Sequence, residues 1–88
     1  MLTFEGQPFQ GPTQILDKLK QLPADVKHQV DTKDVQPTGA DGSSLLVLVT
    51  GKLIIDQGNP MQYTQTFTLN PDSGSFYVFN DVFRLVLG

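Results

Sequence analysis

The sequence predicts an α+β fold, namely a curved antiparallel sheet with one packed helix. Apolar residues at helical spacing occur in one segment, Pro12 to Gln21, while most of the remaining chain alternates as strands do and is punctuated by turn residues. The last stretch, Ser75 to Gly88, is apolar on both alternating faces and has no internal Gly or Pro before its final residue. Such a strand needs cover on both faces, so we expect it to lie in the middle of the sheet.

The first part of the chain predicts a short strand, a turn and the helix. Met1 to Glu5 alternates apolar with polar residues, and Gly6-Gln7-Pro8 is typical of a turn. Pro12 suits the first position of a helix. The apolar positions that follow at helical spacing are Ile15, Leu16, Leu19 and Leu22. We expect this amphipathic helix to end at Pro23.

The rest of the chain predicts four strands joined by short connections. Val26 to Lys33 alternates with one polar face, and Gln36 to Ser43 reads as a turn-rich loop. Strands at Ser44 to Asp56 and Met61 to Asn70 are predicted to form a hairpin, and the segment Asn70 to Gly74 then turns into the last strand.

One short helix is too small to cover a sheet of such long strands. We expect Phe4, Phe67, Phe79 and Phe83 to line its concave side. Four aliphatic residues on the other side have no predicted cover, namely Leu46 and Leu48 with Val82 and Val86 on the neighbouring strand. This surplus apolar face predicts either a sheet-to-sheet homodimer or an element missing from the chain.

The composition excludes several classes of function. The net charge is −3 with six Lys plus Arg and no basic run, which argues against nucleic acid as the main partner. The absence of cysteine excludes disulfides, thiol catalysis and cysteine-bound zinc, and the single histidine makes a histidine-based metal site unlikely. We therefore expect no cofactor and no metal. No apolar run is long enough to span a membrane, and the residues that follow Met1 lack the basic start and apolar core typical of a signal sequence, so we expect a soluble intracellular protein.

Three polar residues in apolar surroundings are candidates for catalysis. Asp81 beside Phe83 would be a carboxyl group in an apolar cavity, where a raised pKa suits a general acid or base. His28 and Tyr63 lie on inward positions of their predicted strands. Asp81 and His28 also have structural interpretations, Asp81 as a partner of Arg84 or of backbone N–H groups and His28 as a hydrogen-bonded residue, and for His28 we favour that one.

Five short motifs, in order along the chain, point to a known family. They are Leu2-Thr-Phe-Glu-Gly6, Phe9-Gln10-Gly11, Lys18-Leu19 with Leu22-Pro23, Gln36-Pro37-Thr38 and Phe79-Asn-Asp-Val-Phe-Arg-Leu85. With them the sequence closely resembles the nuclear transport factor 2 family, from Met1 to the C-terminus. That family begins with a helical region that closes the mouth of a cone-shaped fold. Met1 falls where the first strand starts, so we expect residues 1–88 to form a single domain that lacks those N-terminal helices.

The resemblance implies a homodimer that binds the GDP-bound GTPase Ran and phenylalanine-glycine repeats of nucleoporins, importing Ran into the nucleus. It places such a protein in the cytoplasm, the nucleus and the nuclear pore, without enzymatic activity. In the family an aromatic side chain of Ran enters a cavity, and its basic neighbours pair with acids at the rim. The matching Ran-binding positions are Phe4, Leu22, His28 and Phe83 for the cavity and Glu5 and Asp56 for the rim. Leu48 and Val82 match positions of the family's dimer interface.

Two other functions stay open at this point. Related folds host small-ligand isomerases and dehydratases that use Asp, His and Tyr inside the cone, and Asp81, His28 and Tyr63 are the residues that such an enzyme would use here. Alternatively, the chain is an inactive fragment.

Overall fold

The computed structural model describes residues 1–22, 26–55 and 57–86, in which six strands form one sheet beside one helix. The strands are β1 (Leu2–Phe4), β2 (Gln7–Phe9), β3 (Val26–Thr38), β4 (Ser44–Ile55), β5 (Met61–Asp72) and β6 (Ser75–Leu85), and the helix is α1 (Pro12–Lys20). The strand order is β2-β1-β6-β5-β4-β3. The predicted fold class is therefore confirmed.

The last strand lies inside the sheet, as predicted, with β1 on one side and β5 on the other. Its pairing with β5 is antiparallel, whereas its pairing with β1 is parallel and sets Phe4 opposite Phe83. The predicted antiparallel sheet therefore contains one parallel pair. Pairing between the two ends of a chain leaves no local sequence pattern, so periodicity could not reveal it.

Three connections are shorter than predicted. Pro8 lies in β2, and the tight turn before it is Glu5-Gly6, where φ is 52° and 84°. Gln36 to Thr38, predicted as loop, completes β3, and Pro71 lies in β5 rather than in a turn. Proline is tolerated at these places because β2 and β3 are edge strands, and Pro71 lies beyond the last pair that β5 makes with β4.

The core lies on one face of the sheet, which we call the covered face. The cross-strand register aligns Val49, Gln65 and Phe83 on this face. The buried cluster is Val47, Val49, Leu53, Tyr63 and Phe83. The helix adds little burial, since Leu16 and Leu19 remain about half exposed. Apolar surface on the covered face is thus only partly removed from water.

The opposite face carries no helix among the described residues, and we call Leu46, Leu48, Val82 and Val86 on it the open face. Leu48 pairs with Thr66, which in turn pairs with Val82. The sequence prediction placed Leu48 and Val82 on neighbouring strands. In the structure they lie on either side of β5. They are 40% and 45% exposed. These exposed aliphatic side chains are available here for a partner.

Two β-bulges shift side chains from the positions that simple alternation predicts. In β6, Asn80 pairs with Thr68 and Val78 with Leu69, so Phe79 is the extra residue. Phe79 is half exposed and meets Tyr77 edge to face, with ring centroids 6.5 Å apart. The prediction that Phe79 lines the concave side was wrong, because strict alternation does not allow for a bulge. The second bulge is at Asp31 in β3.

Candidate functional site

A cavity of about 470 Å³ lies between the end of α1 and the covered face. It is lined by Leu2, Phe4, Leu19, Leu22, Val26, His28, Leu53, Ile55, Gln65, Asp81 and Phe83. Most of this lining is aliphatic or aromatic. The structure brings together four of the six residues that the resemblance assigned to Ran binding, namely Phe4, Leu22, His28 and Phe83.

Three rings that line the cavity, those of Phe4, Phe83 and His28, are joined through the buried ring of Tyr63 into one continuous set, which we call the aromatic wall. Phe4 stacks on Phe83 with centroids 4.9 Å apart and ring planes 11° apart. Phe83 stacks on Tyr63 at 5.5 Å, and His28 meets Tyr63 edge to face at 5.7 Å. Each such pair contributes about 0.5–1.5 kcal/mol beyond area burial. Because β1, β6, β5 and β3 each supply one ring, the wall is held by four strands at once.

Lys18 fixes the last turn of α1 above this wall. Its ammonium nitrogen lies 4.9 Å from the centroid of Phe4 and 5.7 Å from that of Phe9. Cation–π contacts of this kind contribute roughly 0.5–1 kcal/mol at exposed sites. Nothing in the helical pattern of the sequence shows which rings lie beneath Lys18, so this contact could not be predicted.

The polar part of the cavity is the pair Gln65 and Asp81. The side-chain amide of Gln65 donates a hydrogen bond of 2.8 Å to Oδ1 of Asp81. Burial raises the pKa of the Asp81 carboxyl, and the Gln65 hydrogen bond and the charge of the N-terminal amine oppose that rise. Gln65 was missed in the sequence. The available signal was a polar residue at an inward position of β5, between Tyr63 and Phe67.

We expect Asp81→Asn to stabilise the fold at neutral pH, by roughly a few degrees in Tm. Because folding raises the Asp81 pKa, the native state binds more protons than the unfolded chain between the two pKa values. The unfavourable contribution of Asp81 therefore develops as the pH rises above its unfolded pKa of about 3.9, and is complete above the folded value.

Thermal unfolding of both proteins across the acidic range measures this effect. The gain in Tm should shrink as the pH is lowered towards the unfolded pKa of Asp81. A gain that is constant with pH, or a lower Tm of Asp81→Asn at neutral pH, would contradict the assignment.

Glu5 has a structural role at the end of β1. Its backbone N–H donates to the carbonyl of Phe83 at 3.0 Å, and its side-chain Oε1 accepts a hydrogen bond from the backbone N–H of Leu85. The side chain thus extends the parallel ladder between β1 and β6 by one bond. The residue lies next to Phe4, with its carboxylate already engaged by the backbone.

The other predicted site residues lie apart from the cavity or outside the described residues. Asp56, assigned to the rim, belongs to the latter group. Leu48 and Val82 lie on the open face. Of the catalytic candidates, His28 and Asp81 line the cavity, whereas Tyr63 is buried in the aromatic wall and is not a lining residue.

Within residues 1–22, 26–55 and 57–86, no three side chains of the types that ligate metals come together. Over the same ranges, no helix is both long and apolar enough to cross a membrane.

Comparison with known proteins identifies relatives over nearly the whole chain. The profile of the nuclear transport factor 2 (NTF2) domain matches residues 1–85. Nuclear transport factor 2 of Emericella nidulans is 56% identical over 98% of this chain and 70% of its own length. That of Saccharomyces cerevisiae is 48% identical over 97% and 69%. The solved structure of nuclear transport factor 2 from Cryptosporidium parvum matches with a TM-score of 0.89 at 40% identity, over 98% of this chain and 69% of that one.

Proposed function

The chain belongs to the nuclear transport factor 2 domain family and has that family's nuclear transport role, and we propose that it carries the GDP-bound GTPase Ran. The observation that supports this cargo is the cavity between α1 and the covered face. The cavity is mostly apolar, and its aromatic rings are already stacked. Two acids, Glu5 and Asp56, directly follow the cavity-lining residues Phe4 and Ile55 in the sequence. Residues 1–88 act as a single domain in this proposal.

The apolar cavity would receive one aromatic side chain of Ran. The incoming ring would pack against Phe4 and Phe83, with Leu22 and His28 on other sides of the cavity. Burial of such a side chain contributes roughly 1.5–3 kcal/mol. The stack of Phe4 on Phe83 exists before binding. The binding free energy therefore loses little to the ordering of these two side chains.

The acids Glu5 and Asp56 would pair with basic residues that flank the incoming ring. Charge pairs at the rim of an interface mainly determine orientation, partner choice and association rate, whereas the apolar anchor dominates affinity. The net charge of −3 favours a basic partner surface in the same way. Affinity should therefore fall as the salt concentration rises.

The open face supports the second part of the proposal, a homodimer. Leu48 and Val82 are large, apolar and exposed on a sheet face without a helix among the described residues. A second copy of the chain would cover them by packing sheet against sheet. We also propose that the dimer binds phenylalanine-glycine repeats of nucleoporins, and that it passes between cytoplasm and nucleus through the nuclear pore.

Catalysis is not part of this proposal. Of the three residues that an isomerase or dehydratase would use, Tyr63 lies in the aromatic wall and does not line the cavity. The relatives are named as transport factors. A carrier therefore accounts for the site with fewer assumptions than an enzyme does.

Three substitutions at the cavity test the proposed cargo site. Phe4→Ala should weaken binding of GDP-loaded Ran roughly tenfold or more, because it removes the ring that forms the cavity wall with Phe83. Glu5→Lys should abolish binding, because the lysine would face the basic residues of Ran that flank the incoming ring. Glu5→Gln should weaken binding less, because its amide oxygen can still accept the hydrogen bond from Leu85. Titration calorimetry measures all three.

Phe76→Ala is the matched control for the loss of a phenylalanine ring. Phe76 lies at the start of β6, is half exposed and does not line the cavity. Its replacement should leave Ran binding unchanged. Equal loss of binding in Phe76→Ala and Phe4→Ala, or normal binding by Phe4→Ala, would show that the cavity is not the cargo site.

A further inference from the structure

We infer that the cavity also binds a small primary amine with an apolar body, its ammonium group at Asp81 and its body against Phe83 and Leu53. This ligand is separate from the proposed protein cargo. The inference rests on the polar pair in the cavity, on the charges around it and on the size of the space, each of which points to the same class of molecule.

The polar pair leaves an acceptor available to a ligand. Asp81 and Gln65 both line the cavity, and Gln65 is the one side-chain partner of the Asp81 carboxylate within the described residues. An ionised carboxylate has about four acceptor positions on its two oxygens. A donor that enters the cavity can therefore bind Asp81 without displacing Gln65.

The charges around Asp81 select a cation. Asp81 is the only acid among the cavity-lining residues that the structure describes, and Lys18, which lies over Phe4 and Phe9, is not one of those residues. A partly buried carboxylate has lost part of its hydration. An ammonium group at hydrogen-bond distance compensates for the lost water contacts. An anion in the same place would meet the like charge of Asp81. The N-terminal amine of Met1 also acts on Asp81 through its charge, but it donates its hydrogen bond to the carbonyl of Phe79, and burial still raises the pKa of the Asp81 carboxyl.

The space around this pair suits a compact apolar body. The volume of about 470 Å³ falls within the range of roughly 300–1,000 Å³ that is typical of small-molecule sites. Leu22, Val26, Leu53 and Ile55 line it together with Phe83. A mainly apolar pocket with a few polar groups that orient the ligand is the usual architecture of such sites.

Three probes that share one ring test the inference on the purified chain. Benzylamine carries an ammonium group, benzoate a carboxylate and toluene no polar group. Titrations followed by the backbone amide resonances should show benzylamine binding roughly tenfold more tightly than toluene, and benzoate not at all. The perturbed resonances should include those of Leu53, Gln65 and Phe83.

Asp81→Asn should remove the preference for the amine, so that benzylamine and toluene bind with similar affinity. The control is Asp34→Asn, since Asp34 is an exposed acid of β3 that pairs with Leu48 and does not line the cavity. This control should keep the preference.

Two results would overturn the inference: equal affinity of the unsubstituted chain for benzylamine and toluene, or shifts confined to residues away from the cavity. Both are read on the unsubstituted protein, so they stand even if Asp81→Asn folds poorly. Because no Ran is present, failure here leaves the carrier proposal intact, and failure of Ran binding leaves this inference intact.

Discussion

Replacing Gly51 with alanine is expected to destabilise the fold by more than about 3 kcal/mol, at or beyond the upper end of the usual cost of overpacking. A Cβ at this position would clash with the backbone oxygen of Gln29 and would lie 3.0 Å from a ring carbon of Tyr63. The close approach comes from the bulge at Asp31, which shifts the register of β3 where it passes Gly51. The clash is with backbone atoms of β3, so no side-chain rotation can relieve it. The backbone of β3 cannot move aside without disrupting its hydrogen bonds to β4.

Urea unfolding followed by circular dichroism measures this loss. Gly58→Ala is the matched control, because a Cβ there would lie 3.1 Å from the backbone oxygen of Ile55 and needs a shift of only a few tenths of an ångström. Gly51→Ala should be largely unfolded under conditions where Gly58→Ala is folded. If both variants unfold at the same urea concentration as the parent, β3 does not approach Gly51 of β4 closely enough to exclude a Cβ.

Replacing Leu48 with glutamate is expected to split the proposed homodimer into monomers. Leu48 lies on the open face, across Thr66 from Val82, and a second copy would bury it. Burying an unpaired carboxylate there would cost several kcal/mol. Size exclusion with light scattering should show the mass of a dimer for the parent and of a monomer for Leu48→Glu.

Leu16→Glu is the control for this experiment. Leu16 is 53% exposed on α1 and is not one of the open-face residues, so the same substitution there should leave the dimer intact. A dimer that survives Leu48→Glu, or that is lost equally in Leu16→Glu, would show that the open face is not the interface.

The elements that the sequence predicted well are those with a local signal. The helix from Pro12 has apolar residues at helical spacing. Strands β4 and β6 are largely apolar, β5 alternates, and well-marked turns separate the three strands. The features that it missed depend on contacts distant in sequence. The parallel pairing of β1 with β6 joins the two ends of the chain, and the bulges at Asp31 and Phe79 depend on how each strand meets its neighbour.

The same distinction applies to the cavity. Phe4 and Phe83 were named from the family resemblance, and the structure explains their contact by the register of β1 on β6. Gln65 was missed because its role exists only through Asp81 on the neighbouring strand. Lys18 was missed because its partner rings lie on β1 and β2 rather than on its own helix.

The central claim is that the chain is a carrier of Ran in its GDP-bound form, and titration calorimetry with GDP-loaded and GTP-loaded Ran tests it most directly. We predict saturable binding of the GDP-loaded form, weaker at higher salt because acids flank the apolar cavity. We predict no comparable binding of the GTP-loaded form. Equal affinity for the two nucleotide states, or no binding of either, would contradict the account.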